Sequence, residues 1–151
     1  AAIRQVGDLA TQAPEGASPE ERLRHYVRVY LPNLVRQDER HRWISRLMQH
    51  ELSEPTPAAK LIAERAIRPR LEYLAGLVAA LLECAPDDPR VRRSVMSIQA
   101  QCLFYLPRPF HQVVAPGAWP ESDAEIERTA EHIVRFSLAG IRWLRDRSES
   151  A

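Results

Sequence analysis

Three helix-start signals divide the chain, and they constrain its fold more than any other feature. Each joins a capping side chain to a following proline: Ser18-Pro19, Thr56-Pro57 and Asp88-Pro89. The side-chain oxygen of such a residue can accept hydrogen bonds from the free N–H groups of a first helical turn. Proline suits the next position because it has no N–H to lose. Glu21 also completes a capping box with Ser18, so the chain is predicted to be a series of helices.

Apolar residues recur at helical spacing after these signals, and no stretch alternates with the period of two expected of a half-buried strand. The spacing predicts helices at about 19–31, 38–53, 57–83, 89–105 and 122–146, the last capped by Ser122. Pro32 is expected to end or bend the first helix and Pro69 to kink the third, because proline removes a backbone hydrogen bond and clashes with the preceding turn. The predicted fold is all-α, a bundle of five to six helices.

Length and charge describe one ordinary domain. The chain has 151 residues, 45% of them hydrophobic, which is enough for one helical core and too apolar for disorder. The first ten residues lack the apolar block of a signal peptide, and no apolar run approaches the roughly 18 residues of a membrane span, so we expect a cytoplasmic protein without a membrane partner. The formal net charge is only +1. We therefore expect that these residues alone do not bind duplex DNA specifically.

The ends and one internal segment depart from this helical pattern. Residues 1–18 are predicted to be the end of a linker helix and a flexible Ala/Gly/Pro/Ser segment, and residues 19–151 the main domain. Residues 107–120 hold four prolines and a glycine. A loop of this length suggests a function or the wrapping of a partner.

Catalytic and metal-binding patterns are weak. Cys84 and Cys102 are expected to be free thiols, and neither they nor the histidines have metal-ligand spacing. Cys102 with His111 suggests a nucleophile and a base, but no third orienting residue or oxyanion-forming turn accompanies them. The sequence therefore predicts no cofactor, no metal and no enzymatic activity.

Aromatic and sulfur-bearing side chains fall on or beside the inward faces of four predicted helices. Apolar walls with a few placed polar groups are typical of small-molecule pockets, and plain core packing is the alternative. Gln99 lies within an apolar helix and needs a hydrogen-bond partner if it is buried. The predicted pocket would bind a small apolar or aromatic effector, oriented by Gln99 and a tyrosine hydroxyl. Its residues are Tyr26, Tyr30, Trp43, Leu47, Met48, Tyr73, Gln99, Cys102 and Tyr105.

The segments at 89–105 and 130–141 are apolar nearly all round, so each must be buried on more than one side. Two seams at steps of three and four residues run along the last helix, and small residues in them would let two helices approach closely. One wide core face is the alternative interpretation. We favour core contact on one side and subunit contact on the other, with a homodimer interface comprising Val95, Ile133, Ser137, Leu138, Gly140, Ile141 and Leu144.

Four stretches resemble the CecR-like C-terminal domain of TetR-family transcriptional regulators: LMQHELSEPTPA (47–58), IRPRLEYL (67–74), PDDPRV with SIQAQCLFY (86–91 and 97–105) and EHIVRFSLAGI (131–141). With the helices between them they span about residues 19–146. The resemblance implies a homodimeric regulator, taken here as a repressor, that binds operator DNA through an N-terminal helix-turn-helix and releases it when a small effector enters the C-terminal domain. It also implies a four-helix dimer interface formed by the last two helices of each subunit, and a pocket among the earlier helices.

The helix-turn-helix is absent from these residues, and residue 1 is expected to fall in the helix that links it to the sensor domain. The predicted function is accordingly effector sensing and dimerisation, with operator DNA bound only through that N-terminal part. A stand-alone helical interaction module is one alternative, which a homodimer with a ligand-sized cavity would count against. A small enzyme using Cys102 or His111 is another, which a perturbed titratable pair in a cleft would favour.

Overall fold

The computed structural model describes residues 9–36, 39–107 and 113–148, without some side chains of residues 39–58 and that of Ser148. Within these ranges the regular structure is helical and contains no strand, so the predicted all-α fold is confirmed. None of the helices described is long and apolar enough to cross a membrane.

The first helix, α1 (Pro19–Val35), begins as the sequence predicts. The Glu21 N–H donates to Ser18 Oγ at 3.2 Å, and the Ser18 N–H donates to the Glu21 carboxylate at 2.7 Å. From the sequence, Pro32 is expected to end or bend this helix; it does not end it, because the helix continues to Val35. Leu31 and Val35 are buried in the core on either side of Pro32. We attribute the continuation to this burial, which outweighs one missing backbone hydrogen bond.

The next helices are α2 (Glu39–Ser53), α3 (Pro57–Ile62) and α4 (Arg68–Leu82), and a π-helical turn at Ala63–Ile67 joins α3 to α4. The single helix predicted at 57–83 is therefore interrupted just before Pro69 rather than kinked at it. Pro69 has no N–H to offer the carbonyl group four residues earlier. The backbone takes a wider turn instead, in which the Arg68 N–H donates to the Ala63 carbonyl.

The last two helices are α5 (Pro89–Phe104) and α6 (Asp123–Ser148), and both begin at the predicted caps. Asp88 accepts from the Arg90 N–H at 2.8 Å and from its guanidinium at 2.8 Å. These bonds lower the pKa of Asp88 to about 2. Ser122 Oγ accepts from the Glu125 N–H at 3.2 Å.

Helices α1, α4, α5 and α6 pack against one another, whereas α2 contacts α1 and α3 at the side of this group. The shared core includes Tyr26, Val27, Leu74, Val78, Val95, Ile98, Val134 and Leu138. Ala10, in a short helical turn before α1, is also fully buried in this core. His25 Nε2 donates to the Leu9 carbonyl oxygen at 3.1 Å, so this N-terminal turn is held against α1.

Candidate functional site

A cluster of polar and aromatic side chains lies among α1, α4 and α5. We call it the tyrosine cluster, and its members are Tyr26, Tyr30, Arg70, Tyr73, Gln99 and Cys102. The Tyr26 ring centroid is 5.7 Å from that of Tyr30 and 6.4 Å from that of Tyr73, within the range of favourable aromatic contact. Leu71 and Tyr73 are only partly buried, so the cluster reaches the surface along α4.

Gln99 and Tyr26 form the hydrogen bond at the centre of this cluster. Gln99 Nε2 donates to the Tyr26 hydroxyl oxygen at 2.7 Å, and both side chains are buried. The partner that a buried Gln99 requires is therefore Tyr26. Burial raises the pKa of the Tyr26 hydroxyl above its ordinary value.

Arg70 and Tyr73, three residues apart on α4, bring unsatisfied polar atoms to the cluster. The guanidinium carbon of Arg70 lies 4.1 Å from the centroid of the Tyr30 ring, a cation–π contact. Arg70 Nε and the Tyr73 hydroxyl are both buried, and neither has a hydrogen-bond partner among the described residues. A buried polar atom without a hydrogen bond is energetically costly, so these two atoms single out the cluster as a candidate binding site.

A second unusual surface lies on α5 and α6, on the side away from the core. We call it the outer face, and it consists of Met96, Ala100, Leu103 and Phe104 on α5 and Phe136, Ala139, Gly140 and Trp143 on α6; all of these are exposed. Phe136 is 65% exposed and Trp143 is 55% exposed. Large exposed apolar side chains beside small ones are typical of helix contacts between subunits.

Residues 19–141 match the family described as "HTH-type transcriptional dual regulator CecR, C-terminal domain". The chain belongs to this family. The resemblance found in the sequence is thereby confirmed, and the family is one of transcriptional regulators and not of enzymes. No curated protein matches the sequence.

This CecR C-terminal domain brings five of the nine predicted pocket residues together in the tyrosine cluster: Tyr26, Tyr30, Tyr73, Gln99 and Cys102. The other four stand apart or lie outside what is described. Trp43 on α2 is 60% exposed, and Leu47 on the same helix is partly buried. The side chain of Met48 lies outside the described residues. Tyr105 follows α5 and faces Trp119, with ring centroids 6.4 Å apart.

Arg70 is the member of the cluster that the sequence interpretation missed. Arginine supplies all but one of the 21 basic residues of this chain, so the presence of an arginine alone is not a functional signal. A signal was present nonetheless, because Arg70 and Tyr73 are spaced i,i+3 and therefore share one face of a helix.

Most of the predicted dimer-interface residues of this domain lie within its own core. Val95, Ile133, Ser137, Leu138 and Ile141 are buried, Leu144 is partly buried against the core, and Gly140 is exposed. The seam positions of α6 other than Gly140 pack against α1, α4 and α5 of the same chain. Gly140 and the other outer-face residues of α6 lie on its exposed side, where Phe136 and Trp143 are spaced i,i+7. This spacing is the signal that identifies the face in the sequence.

The chemical alternatives find little support in the described residues. Cys84 and Cys102 are free thiols, as predicted. Burial raises the pKa of Cys102 to about 12, so this thiol is a poor nucleophile at neutral pH. His111 lies outside the described residues. Within the described part of the chain, no three His, Cys, Asp or Glu residues are placed to hold a metal ion.

An open surface cleft of about 470 Å³ lies between residues 14–17 and the first half of α1. Arg24 and Arg28 line it, and both are already paired with carboxylates of α6, Arg24 with Glu131 and Arg28 with Glu127. The two arginines of the cleft are therefore already neutralised. The unsatisfied polar atoms of the tyrosine cluster make it the stronger candidate site.

Proposed function

We propose that this CecR C-terminal domain senses a small effector at the tyrosine cluster and dimerises a TetR-type transcriptional regulator, a repressor whose helix-turn-helix domain lies N-terminal to these residues. The observation that carries the proposal is the pair of unsatisfied polar atoms, on Arg70 and Tyr73, beside stacked tyrosine rings. Aromatic walls with a few polar groups are suited to a small organic ligand. The fit of such a ligand would satisfy atoms that the protomer leaves without a partner.

Helix α1 supplies a route from the effector to the N-terminal turn. It contributes Tyr26 and Tyr30 to the tyrosine cluster, and His25, next to Tyr26, holds the Leu9 carbonyl oxygen. Ala10 is fully buried in the same core. A ligand that displaces the tyrosine side chains would therefore move α1 and the turn at residues 9–11 together. The regulator's operator-binding domains would then change their separation.

The proposed homodimer places two copies of the outer face against each other, so that α5 and α6 of both subunits form a four-helix contact. Ala100, Ala139 and Gly140 allow close approach of the helices, and Phe136 and Trp143 supply apolar area. Gln101 Nε2 donates to Ser137 Oγ at 3.2 Å and fixes α5 to α6 within each protomer. A rigid helix pair of this kind suits a two-fold symmetric interface.

Two measurements on this chain test the proposal. Thermal unfolding with a panel of neutral and acidic aromatic compounds should reveal ligands that raise the Tm, because a ligand that binds only the folded state stabilises it. Light scattering at micromolar concentration should give the mass of a dimer. A monomer that binds no compound of the panel would refute the proposal and favour a module whose outer face binds a different protein.

A further inference from the structure

We propose that the effector is an aromatic carboxylate and that Arg70 binds its acidic group. This inference rests on the proposed sensing function and names the ligand class for the same site. It goes beyond the apolar or aromatic effector predicted from the sequence, because the structure adds a cation to the cluster.

Arg70 differs from the arginines on the surface of the domain. Several of those are neutralised by a carboxylate of another helix or loop: Arg24 by Glu131, Arg36 by Asp123, Arg142 by Glu20 and Arg145 by Glu83. Among the described residues, no carboxylate pairs with Arg70. Its charge is instead placed over the Tyr30 ring, and its Nε is buried without a hydrogen-bond partner.

The placement of the guanidinium favours an incoming anion. Stacking on an aromatic ring uses the flat face of the guanidinium and leaves its N–H groups at the edge. These N–H groups form a fork that matches the two oxygens of a carboxylate. The hydroxyl of Tyr73 is a further donor on the same face of α4. The positive charge of Arg70 also reaches deep into the cluster, where it opposes the rise that burial causes in the pKa of Tyr26, Tyr30 and Cys102.

The remainder of the ligand follows from the rings. Tyr26 stacks on Tyr73 with ring centroids 6.4 Å apart and contacts Tyr30 at 5.7 Å. Of these three rings only that of Tyr73 is partly exposed, so it is the ring that a flat apolar ligand beside the cation would contact. The tyrosine cluster contains no acidic side chain that would repel a carboxylate. An aromatic ring that carries one carboxylate would suit this environment, because the ring can contact the tyrosines and the carboxylate can pair with Arg70.

The test uses 1-naphthoate and its neutral counterpart 1-naphthamide, two probes of nearly equal shape, titrated calorimetrically into the whole chain at pH 7. Hydrogen bonds to charged groups contribute about 1.5–3 kcal/mol, so naphthoate should bind roughly tenfold to a hundredfold more tightly than naphthamide. Arg70→Gln should abolish this preference, and Arg70→Lys should retain only part of it because lysine lacks the fork. Arg68→Gln, which removes an exposed arginine from the same helix, is the matched control and should bind as wild type does.

Tyr73→Phe provides a second test if the Arg70 variants fail to fold, because it removes only a hydroxyl that has no hydrogen-bond partner among the described residues. Its Tm should equal or exceed that of wild type, and its affinity for naphthoate should fall severalfold. Equal binding of the two probes, binding of neither, or an unchanged preference in Arg70→Gln would overturn the proposal. Neutral aromatic compounds that still raise the Tm would then leave the sensing function standing, and their failure as well would refute both.

Discussion

The outer face and the tyrosine cluster are unusual in opposite ways: the first exposes apolar side chains, and the second buries polar atoms. On the outer face, the large apolar side chains of Phe136 and Trp143 are exposed to solvent. In the cluster, Arg70 Nε and the Tyr73 hydroxyl are buried and have no hydrogen-bond partner among the described residues. Exposed apolar patches and buried unsatisfied polar groups are the two informative exceptions to the usual distribution of residues. The proposals give each region its own kind of partner: the apolar surface of a second copy for the outer face, and an acidic aromatic ligand for the tyrosine cluster.

The largest loss of stability is expected from a substitution in the core, against which both regions pack. Leu138 is 5% exposed and packs inside the protomer, although the sequence places it in the dimer interface. Leu138→Arg should therefore lower the free energy of unfolding by about 3–5 kcal/mol, because a buried charge without a partner is strongly destabilising. Urea unfolding followed by circular dichroism measures this loss. Full native stability with loss of the dimer would show instead that Leu138 faces another subunit.

Phe136→Arg is the counterpart of Leu138→Arg on the outer face. Phe136 lies two residues before Leu138 on α6, but it is exposed, so the new charge stays outside the core. If the wild type is a dimer as proposed, light scattering should show this variant to be a monomer, since the new charges would meet across a two-fold contact. The helical circular dichroism spectrum should remain that of wild type. Arg135→Ala changes the exposed neighbouring side chain and is the control, which should stay dimeric. A Phe136→Arg protein that remains a dimer would place the interface elsewhere.

Gln99→Leu tests whether the polar interior of the cluster contributes to stability. The Tyr26 hydroxyl would lose the hydrogen bond it accepts at 2.7 Å, and the free energy of unfolding should fall by about 1–3 kcal/mol. Adding Tyr26→Phe should recover part of this loss, because the unsatisfied hydroxyl is then absent. Thermal or urea unfolding of the two single variants and the double variant completes the cycle. Strictly additive losses would show that the two side chains do not interact.

Tyr73→Phe should have the smallest effect on the free protein. Its hydroxyl is buried without a partner, so the free energy of unfolding should stay within about 0.5 kcal/mol of wild type or rise. Urea unfolding of Tyr73→Phe and Gln99→Leu side by side compares the two hydroxyls of the cluster. Gln99→Leu removes the hydrogen bond of the Tyr26 hydroxyl, whereas Tyr73→Phe removes a hydroxyl without one. A loss as large as that of Gln99→Leu would mean that Tyr73 has a partner in solution.

Local chemistry explains which parts of the fold the sequence predicts well. Ser18, Asp88 and Ser122 act as caps within a few residues of their own position, so the starts of α1, α5 and α6 follow from the sequence alone. Pro32 and Pro69 are different. Whether proline ends a helix, lies within it or follows a π turn depends on how strongly the surrounding residues are buried, which is a property of the assembled core.

The two candidate sites also divide into features that the local sequence predicts and features that depend on tertiary packing. Aromatic residues at helical spacing identify most of the tyrosine cluster, because inward faces are visible as periodicity. The role of Arg70 arises from its contact with Tyr30, which belongs to another helix forty residues earlier in the chain. On α6, periodicity reveals apolar positions all round the helix. It does not distinguish the face that meets the protomer's own helices from the one that meets solvent.

The π turn at Ala63–Ile67 makes this segment a natural place for the chain to gain or lose a residue during evolution. Such a turn accommodates one residue more than an α-helix over the same stretch, so a deletion there can restore a continuous helix from α3 to α4. Because the turn absorbs its extra residue locally, this deletion would leave the rotational phase of α3 relative to α4 nearly unchanged. The junction at Glu51 and Thr56 would keep its place as well. Relatives that differ by one residue in this segment would therefore keep the same four-helix core and the same placement of α2.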